Sequence, residues 1–275
     1  MQIIRDLASL RAATAALRAA GRRLALVPTM GALHAGHIKL VTEGRKHADA
    51  VAVSIFVNPL QFGPNEDLAK YPRDEAGDLA QLRAAGTDIV WMPSVETMYG
   101  PDRATVIHVE GPAIPFEGEI RPGHFAGVAT VCTKLFSQTQ ADVAMFGEKD
   151  WQQVQVVRRV VADLDLPVTI IPVPTVRDDD GLALSSRNRR IPPELRATAA
   201  KFPALLHEAV TAIHAGAPVE AALEAARLGI EEAGMPVDYV TIVEPESLGP
   251  WKSGPGRLLA VARIGDIRLL DNMAV

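Results

Sequence analysis

Cysteine is almost missing from this sequence. Cys132 stands alone, so no intrachain disulfide can form and a cysteine-rich metal site is excluded. That usage fits a reducing cytoplasm, the expected location. Long apolar runs are missing too: none reaches the roughly 18 residues that a spanning helix requires, so no membrane partner is expected. The first eight residues carry Arg5 and Asp6 and do not read as a secretory signal, and lipidation motifs are absent. Positive charge is in deficit, with 28 Lys and Arg against 33 Asp and Glu and a net charge of −5. A nucleic-acid surface is therefore not expected. An anionic small molecule remains a possible ligand, but the cations that hold it must converge locally.

The 275 residues, 48% of them hydrophobic, suffice for one large domain or two modest ones with buried cores. Residues 1–176 read as alternating short apolar strands (24–27, 50–57, 88–92, 142–146, 168–176) and amphipathic helices (6–20, 36–47, 74–85, 122–137, 149–163). This pattern predicts an α/β fold, a Rossmann-like parallel sheet with helices on both faces. Residues 177–275 read differently. A charged turn leads to an Ala-rich helix broken or kinked at Pro203, then a second helix and three strands, a smaller α+β domain. Ligands of parallel sheets bind outside the carboxyl ends of the strands. The loops after residues 27, 57, 146 and 176 are therefore the ones to inspect, and they carry the densest polar chemistry of the chain.

The first of these loops holds Met30, Gly31, His34, Gly36 and His37 at the start of a helix. A helix N-terminus offers unpaired N–H groups and partial positive charge to a phosphate, and glycines permit close backbone approach. The two glycines have P-loop spacing, but the Lys and Ser or Thr of a P-loop are replaced by His37 and Ile38, so that reading fails. Three readings of His34 and His37 compete: a zinc site, which lacks further ligands at suitable spacing; a capping and packing role; and a pair of imidazoles donating to polyphosphate oxygens. The position after the first strand favours the last.

Residues 146–155 repeat the arrangement: Gly147 and Lys149 at a strand exit, then Asp150, and Gln152 and Gln155 on one helical face. Lysine suits a phosphate; neutral amides suit hydroxyl and carboxylate groups. Leu184, Ser185, Ser186 and Arg187 lie at the proposed domain junction, where hydroxyls and a guanidinium suit a triphosphate and a lid is expected. Asn58, Gln61, Arg121 and His124 add polar groups near strand ends. Asp78, and after it Glu75, are candidate magnesium ligands. Plain solvated helix starts or loops would account for each segment alone.

Together, Pro-Thr-Met-Gly-Ala-Leu-His-Ala-Gly-His, Ser-Ile-Phe-Val-Asn-Pro-Leu-Gln-Phe, Arg-Pro-Gly-His-Phe, Phe-Gly-Glu-Lys-Asp-Trp-Gln-Gln and Leu-Ala-Leu-Ser-Ser-Arg-Asn resemble the pantothenate synthetase (pantoate–β-alanine ligase) family, within the nucleotidylyltransferase-like enzymes. Ala35 and Trp151 depart from common family residues without touching a catalytic role. The resemblance implies an ATP-dependent ligase joining pantoate to β-alanine through a pantoyl-adenylate. It implies His37, His34, Lys149 and Arg187 as catalytic. Met30, Gly31, Gly36, Gly147, Asp150, Gln152, Val176, Leu184, Ser185 and Ser186 would join them around the nucleotide and intermediate. Gln61, Gln155, Asn58 and His124 would bind pantoate or β-alanine. Mg²⁺ and a homodimer through the N-terminal domain are implied as well. The alternatives are transfer of a nucleotidyl group to a phosphate ester, which the paired glutamines disfavour, and a noncatalytic nucleotide-binding module.

Overall fold

The computed structural model describes residues 1–64 and 66–275. Two compact units emerge: Met1–Gly147 with Gln152–Pro174, and Glu148–Trp151 with Thr175–Val275.

The first unit is built in chain order from β1 (Gln2–Ile4), α1 (Leu7–Ala19), β2 (Leu24–Thr29), α2 (Ala35–His47), β3 (Ala50–Ile55), α3 (Glu75–Ala84), β4 (Ile89–Trp91), α4 (Val95–Tyr99), α5 (Glu117–Ile120), α6 (His124–Thr139), β5 (Val143–Gly147), α7 (Trp151–Asp163) and β6 (Thr169–Val173). Among the described residues these strands form a six-stranded parallel sheet in the order β1-β4-β3-β2-β5-β6. The α/β, Rossmann-like expectation is borne out. β1 was not anticipated, because three residues with one buried side chain are too short for a periodic signal.

Strand alternation divides the core. Leu24 and Leu26 of β2, Ala50 and Ala52 of β3, and Ile89 and Trp91 of β4 pack with Leu10 of α1 and Val128, Cys132 and Leu135 of α6. Ala25, Val27, Val51, Val53 and Val90 point the other way, onto Leu40 and Val41 of α2 and Leu82 of α3. Both faces are covered, which is why the strands read as unbroken apolar runs. Each fully buried aliphatic side chain contributes about 1.5–3 kcal/mol. Trp91 is buried with its indole N–H donating to Gln138 Oε1 at 3.1 Å, so its one polar atom costs little.

The strand order reverses at β2. The chain runs from β2 through β3 to β4 on one side, then returns to β5 and β6 on the other. The loops after β2, β3 and β5 therefore leave adjacent strands at one edge, where this class of sheet binds ligands.

The second unit consists of α8 (Pro193–His214), α9 (Val219–Glu232), β7 (Val237–Val243), β8 (Arg257–Ile264) and β9 (Ile267–Ala274), the strands forming an antiparallel sheet β7-β8-β9. Phe202 and Leu206 of α8 and Ala226 and Ile230 of α9 pack on Leu258, Ala260 and Ala262 of β8 and on Ile267 and Leu269 of β9. The smaller α+β expectation holds. α8 is not broken at Pro203, which lies inside one continuous helix.

Gly127 of α6 meets the turn after β3 so closely that an added Cβ would fall on the Leu60 carbonyl and lie 2.6 Å from Gln61 N. Because backbone cannot swing aside as a side chain can, Gly127→Ala should destabilise the protein by about 1–3 kcal/mol or more. A denaturant midpoint unchanged from wild type would show that the turn yields freely.

Candidate active site

β2 ends in Thr29, whose Oγ1 donates to Ser54 O at 2.7 Å and accepts from Gly31 N at 3.3 Å. The chain then takes two successive left-handed residues, Gly31 at φ 82° and Ala32 at φ 51°. For alanine that conformation costs roughly 1–2 kcal/mol. Asp78 of α3 offsets the cost, for its two carboxylate oxygens accept from Ala32 N at 2.8 Å and Leu33 N at 2.7 Å. Asp78 is 2% exposed, and one turn on Gln81 donates to Leu33 O at 3.4 Å. The Asp78 carboxylate, expected as a magnesium ligand, is buried against the loop backbone and organises it.

His34 is the N-cap of α2 rather than part of the helix, and His37 sits in the first turn. His34 Nδ1 accepts from Gly36 N at 3.2 Å, and His37 Nδ1 accepts from His34 N at 3.3 Å. The rings tilt against each other with centroids 4.1 Å apart. With both Nδ1 lone pairs receiving backbone protons, each neutral ring carries its hydrogen on Nε2, which becomes a donor. Capping at Nδ1 is therefore compatible with donation from Nε2.

After β3, Asn58 caps a short turn, Pro59–Gln61. Its Oδ1 accepts from Leu60 N at 3.2 Å and Tyr99 Oη at 2.5 Å, and its Nδ2 donates to Gln61 Oε1 at 3.0 Å and Gly127 O at 3.1 Å. Asn58 is 1% exposed with every hydrogen-bonding position taken. Expected as a substrate contact, it occupies the Gln61 side-chain oxygen and turns Gln61 Nε2 toward Met30 Sδ, 3.2 Å away.

His124 is likewise a brace. Its Nδ1 donates to Gln61 O at 2.8 Å and its Nε2 accepts from Arg121 Nη1 at 3.1 Å, while Arg121 forks onto Glu66 at 2.8 and 2.7 Å. Burial, reinforced by Arg121, pushes His124 down from 6.5 to about 4. Gln152 also differs from expectation: Nε2 donates to Pro112 O at 2.9 Å and Pro115 O at 2.6 Å, and Oε1 accepts from Glu117 N at 3.2 Å, so its amide is spent on that bend. Gln155 is the opposite case. It is buried, yet its Nε2 meets no acceptor among the described residues. A buried unsatisfied donor costs about 1–3 kcal/mol, which a ligand oxygen would recover. Gly147 ends β5 with open space at its Cα.

The remaining expected residues belong to the second unit. Lys149 Nζ lies 3.4 Å from Asp150 Oδ1. Val176 O accepts from Leu184 N at 2.9 Å, closing a hairpin-like turn bridged by Arg177 and Ala183. Ser185 then caps the turn Ser186–Arg190, which contains Arg187, by accepting from Arg187 N at 3.3 Å. Lys149, Ser185, Asn188, Arg268 and Asp271 line a small cavity, so lysine and the serine turn are brought together. Asp271, Asn272, Arg177 and Arg257, which hold these segments, escaped the sequence reading. One signal was present: Asp271 continues the inward parity of Ile267 and Leu269, an acid where an apolar residue belongs.

Two outcomes test the bracing. Asp78→Ala strands two buried amides and should cost roughly 2–4 kcal/mol of stability in denaturant unfolding. The unfolded His124 titrates near 6.5 whereas the folded one stays neutral down to about 4, so unfolding takes up a proton between those values. Stability should fall as pH drops through that window and be flat, for this group, above it. His124→Gln should remove that slope, as unfolding curves recorded across the window will show.

A family model described as pantoate-beta-alanine ligase matches residues 2–274. Pantothenate synthetase of Rhizorhabdus wittichii is 56% identical across 100% of this chain and 99% of its own length. That of Acidiphilium cryptum is 53% identical, with 100% of both covered. The crystal structure of pantothenate synthetase from Thermus thermophilus superposes with a TM-score of 0.93 at 44% identity, over 99% of each chain. That of the Francisella tularensis pantoate-beta-alanine ligase, complexed with beta-gamma ATP and β-alanine, gives 0.86 at 32% identity, over 99% of this chain and 97% of that one. The loop of paired imidazoles and the unsatisfied buried amide thus sit in a chain that belongs to the pantoate–β-alanine ligase family.

Proposed function

We propose that the protein condenses pantoate with β-alanine at the expense of ATP through a pantoyl-adenylate, releasing AMP and pyrophosphate. The observation that carries the reading is the His34–His37 pair, held by backbone bonds at both Nδ1 atoms after β2, at the sheet's reversal point. The ATP and β-alanine named in the Francisella tularensis complex support it.

In the first step a pantoate carboxylate oxygen attacks the α-phosphorus of ATP, and the bond to pyrophosphate breaks. Two anions must approach. The Nε2 donors of His34 and His37, the Lys149 ammonium and the Arg187 guanidinium are the groups that reduce this repulsion and stabilise the departing pyrophosphate. Backbone of Met30, Gly31, Gly36, Gly147, Val176 and Leu184, with Asp150, Ser185 and Ser186, completes the proposed nucleotide site. Gln61 and Gln155 donate to pantoate oxygens, so its carboxylate is aligned before attack. In the second step the neutral amine of β-alanine attacks the acyl carbon. The amide forms, the amine loses a proton and AMP leaves.

No cluster of acids, histidines and cysteines that could hold a metal ion exists among the described residues, and Asp78 is committed to the loop. Mg²⁺ is proposed as the companion of ATP. We also propose a cytoplasmic location, where ATP is available, and a homodimer through the first unit. Exposed Val106, Ile114 and Ile120 support the homodimer, and light scattering tests it.

Incubation with ATP, pantoate and β-alanine should yield AMP and pantothenate; an adenylylated product instead would favour nucleotidyl transfer. His37→Ala should slow pantoate-dependent pyrophosphate exchange more than about tenfold, equivalent to ~1.4 kcal/mol. Gln155→Ala should raise the KM for pantoate more than that for ATP, and equal increases would remove Gln155 from pantoate recognition.

A further inference from the structure

Asn272 lies on β9, more than a hundred positions from Lys149, and is 3% exposed. Its Nδ2 donates to Glu148 O at 2.9 Å and to Lys149 O at 2.8 Å. Its Oδ1 accepts from Arg257 Nε at 2.6 Å. The two carbonyls can only accept and the guanidinium can only donate, so the amide has one orientation. Arg257 closes the ring: its Nη2 donates to Glu148 Oε2 at 3.1 Å, and its guanidinium lies over the Trp151 ring, 4.0 Å from the centroid. Burial lowers the Arg257 pKa, and the Glu148 carboxylate opposes that shift.

The preceding residue does related work. Asp271 accepts a forked pair from Arg177 at 2.6 and 2.9 Å, and its Oδ1 also accepts from Asn272 N at 2.8 Å. Arg177 follows Val176, and its Nη1 donates to Gly181 O at 3.0 Å within the turn that leads to Ser185–Arg187. Two adjacent residues of one strand thus hold the lysine turn and the base of the serine–arginine hairpin. The cavity lined by Lys149, Ser185 and Asp271 is what they enclose.

We propose that Asn272 is a positioning residue for Lys149, acting on phosphate charge only through the backbone of residues 148 and 149. The proposal rests on the adenylation reading for the role of Lys149. Asn272→Asp keeps shape and volume but turns an oxygen toward two carbonyl oxygens, so the lysine turn should shift. A misplacement of about 1 Å can cost up to about a hundredfold in rate.

The test is a double-mutant cycle on pantoate-dependent pyrophosphate exchange, with thermal unfolding alongside. Asn272→Asp should lower kcat by at least about tenfold while leaving the pantoate KM within about twofold, and in a Lys149→Ala background it should add less than about twofold. If Asn272→Asp does not fold, Asn272→Ala enters the same cycle. An unchanged kcat, a loss undiminished in the Lys149→Ala background, or a parallel rise in pantoate KM would each overturn the proposal. Wild-type protein that forms no AMP from the three substrates would instead sink the adenylation reading, and a fully active Lys149→Ala would overturn the proposal while leaving adenylation standing.

Discussion

One buried carboxylate accepting two successive backbone amides governs the loop after β2. Without Asp78, the amides of Ala32 and Leu33, which follow the left-handed Gly31, would lose the carboxylate that accepts from both. With it, the strained backbone becomes the low-energy path from β2 to α2. That path decides where His34 falls as a cap and where His37 lies one turn later. The direction of both imidazole Nε2 donors follows from backbone bonds made at Nδ1. The placement of both imidazoles thus depends on a carboxylate some 45 residues further along the chain.

The same economy recurs around it. Asn58, His124 and Gln152 are polar, buried and bonded to the backbone, and each secures a bend of chain. Gln155 contrasts with them because burial leaves its amide unsatisfied. A saturated buried amide has no further donor or acceptor to offer; an unsatisfied one has about 1–3 kcal/mol to regain. That difference separates supports from contacts more sharply than residue type does. In the second unit Asp271 and Asn272 act as supports, with Arg177 and Arg257 as their cationic partners.

Much was legible beforehand because the signals were local. Alternating apolar strands and capped amphipathic helices announced the parallel sheet, and the histidine loop, Gln61, Gln155, Lys149 and the Ser185–Arg187 turn stood out by type and by place after a strand. The supports were less legible. Asp78 lies four residues before Leu82 on the buried stripe of α3, and that was its only mark. Asn272 reads as an ordinary strand residue until β9 is set beside residues 148 and 149.

The chain alone determined the periodicities, the glycines and prolines that punctuate them, and the inventory of polar groups at strand ends, because these depend on neighbours a few residues apart. Which of those groups would be spent on backbone was decided only by tertiary structure. Hydrogen-bond partners of Asp78, Asn58, His124 and Asn272 lie some 45 to 124 residues away or across a turn whose geometry packing sets. A side chain's capacity to donate or accept is written in its type. Whether that capacity remains for a ligand depends on what folding has brought beside it.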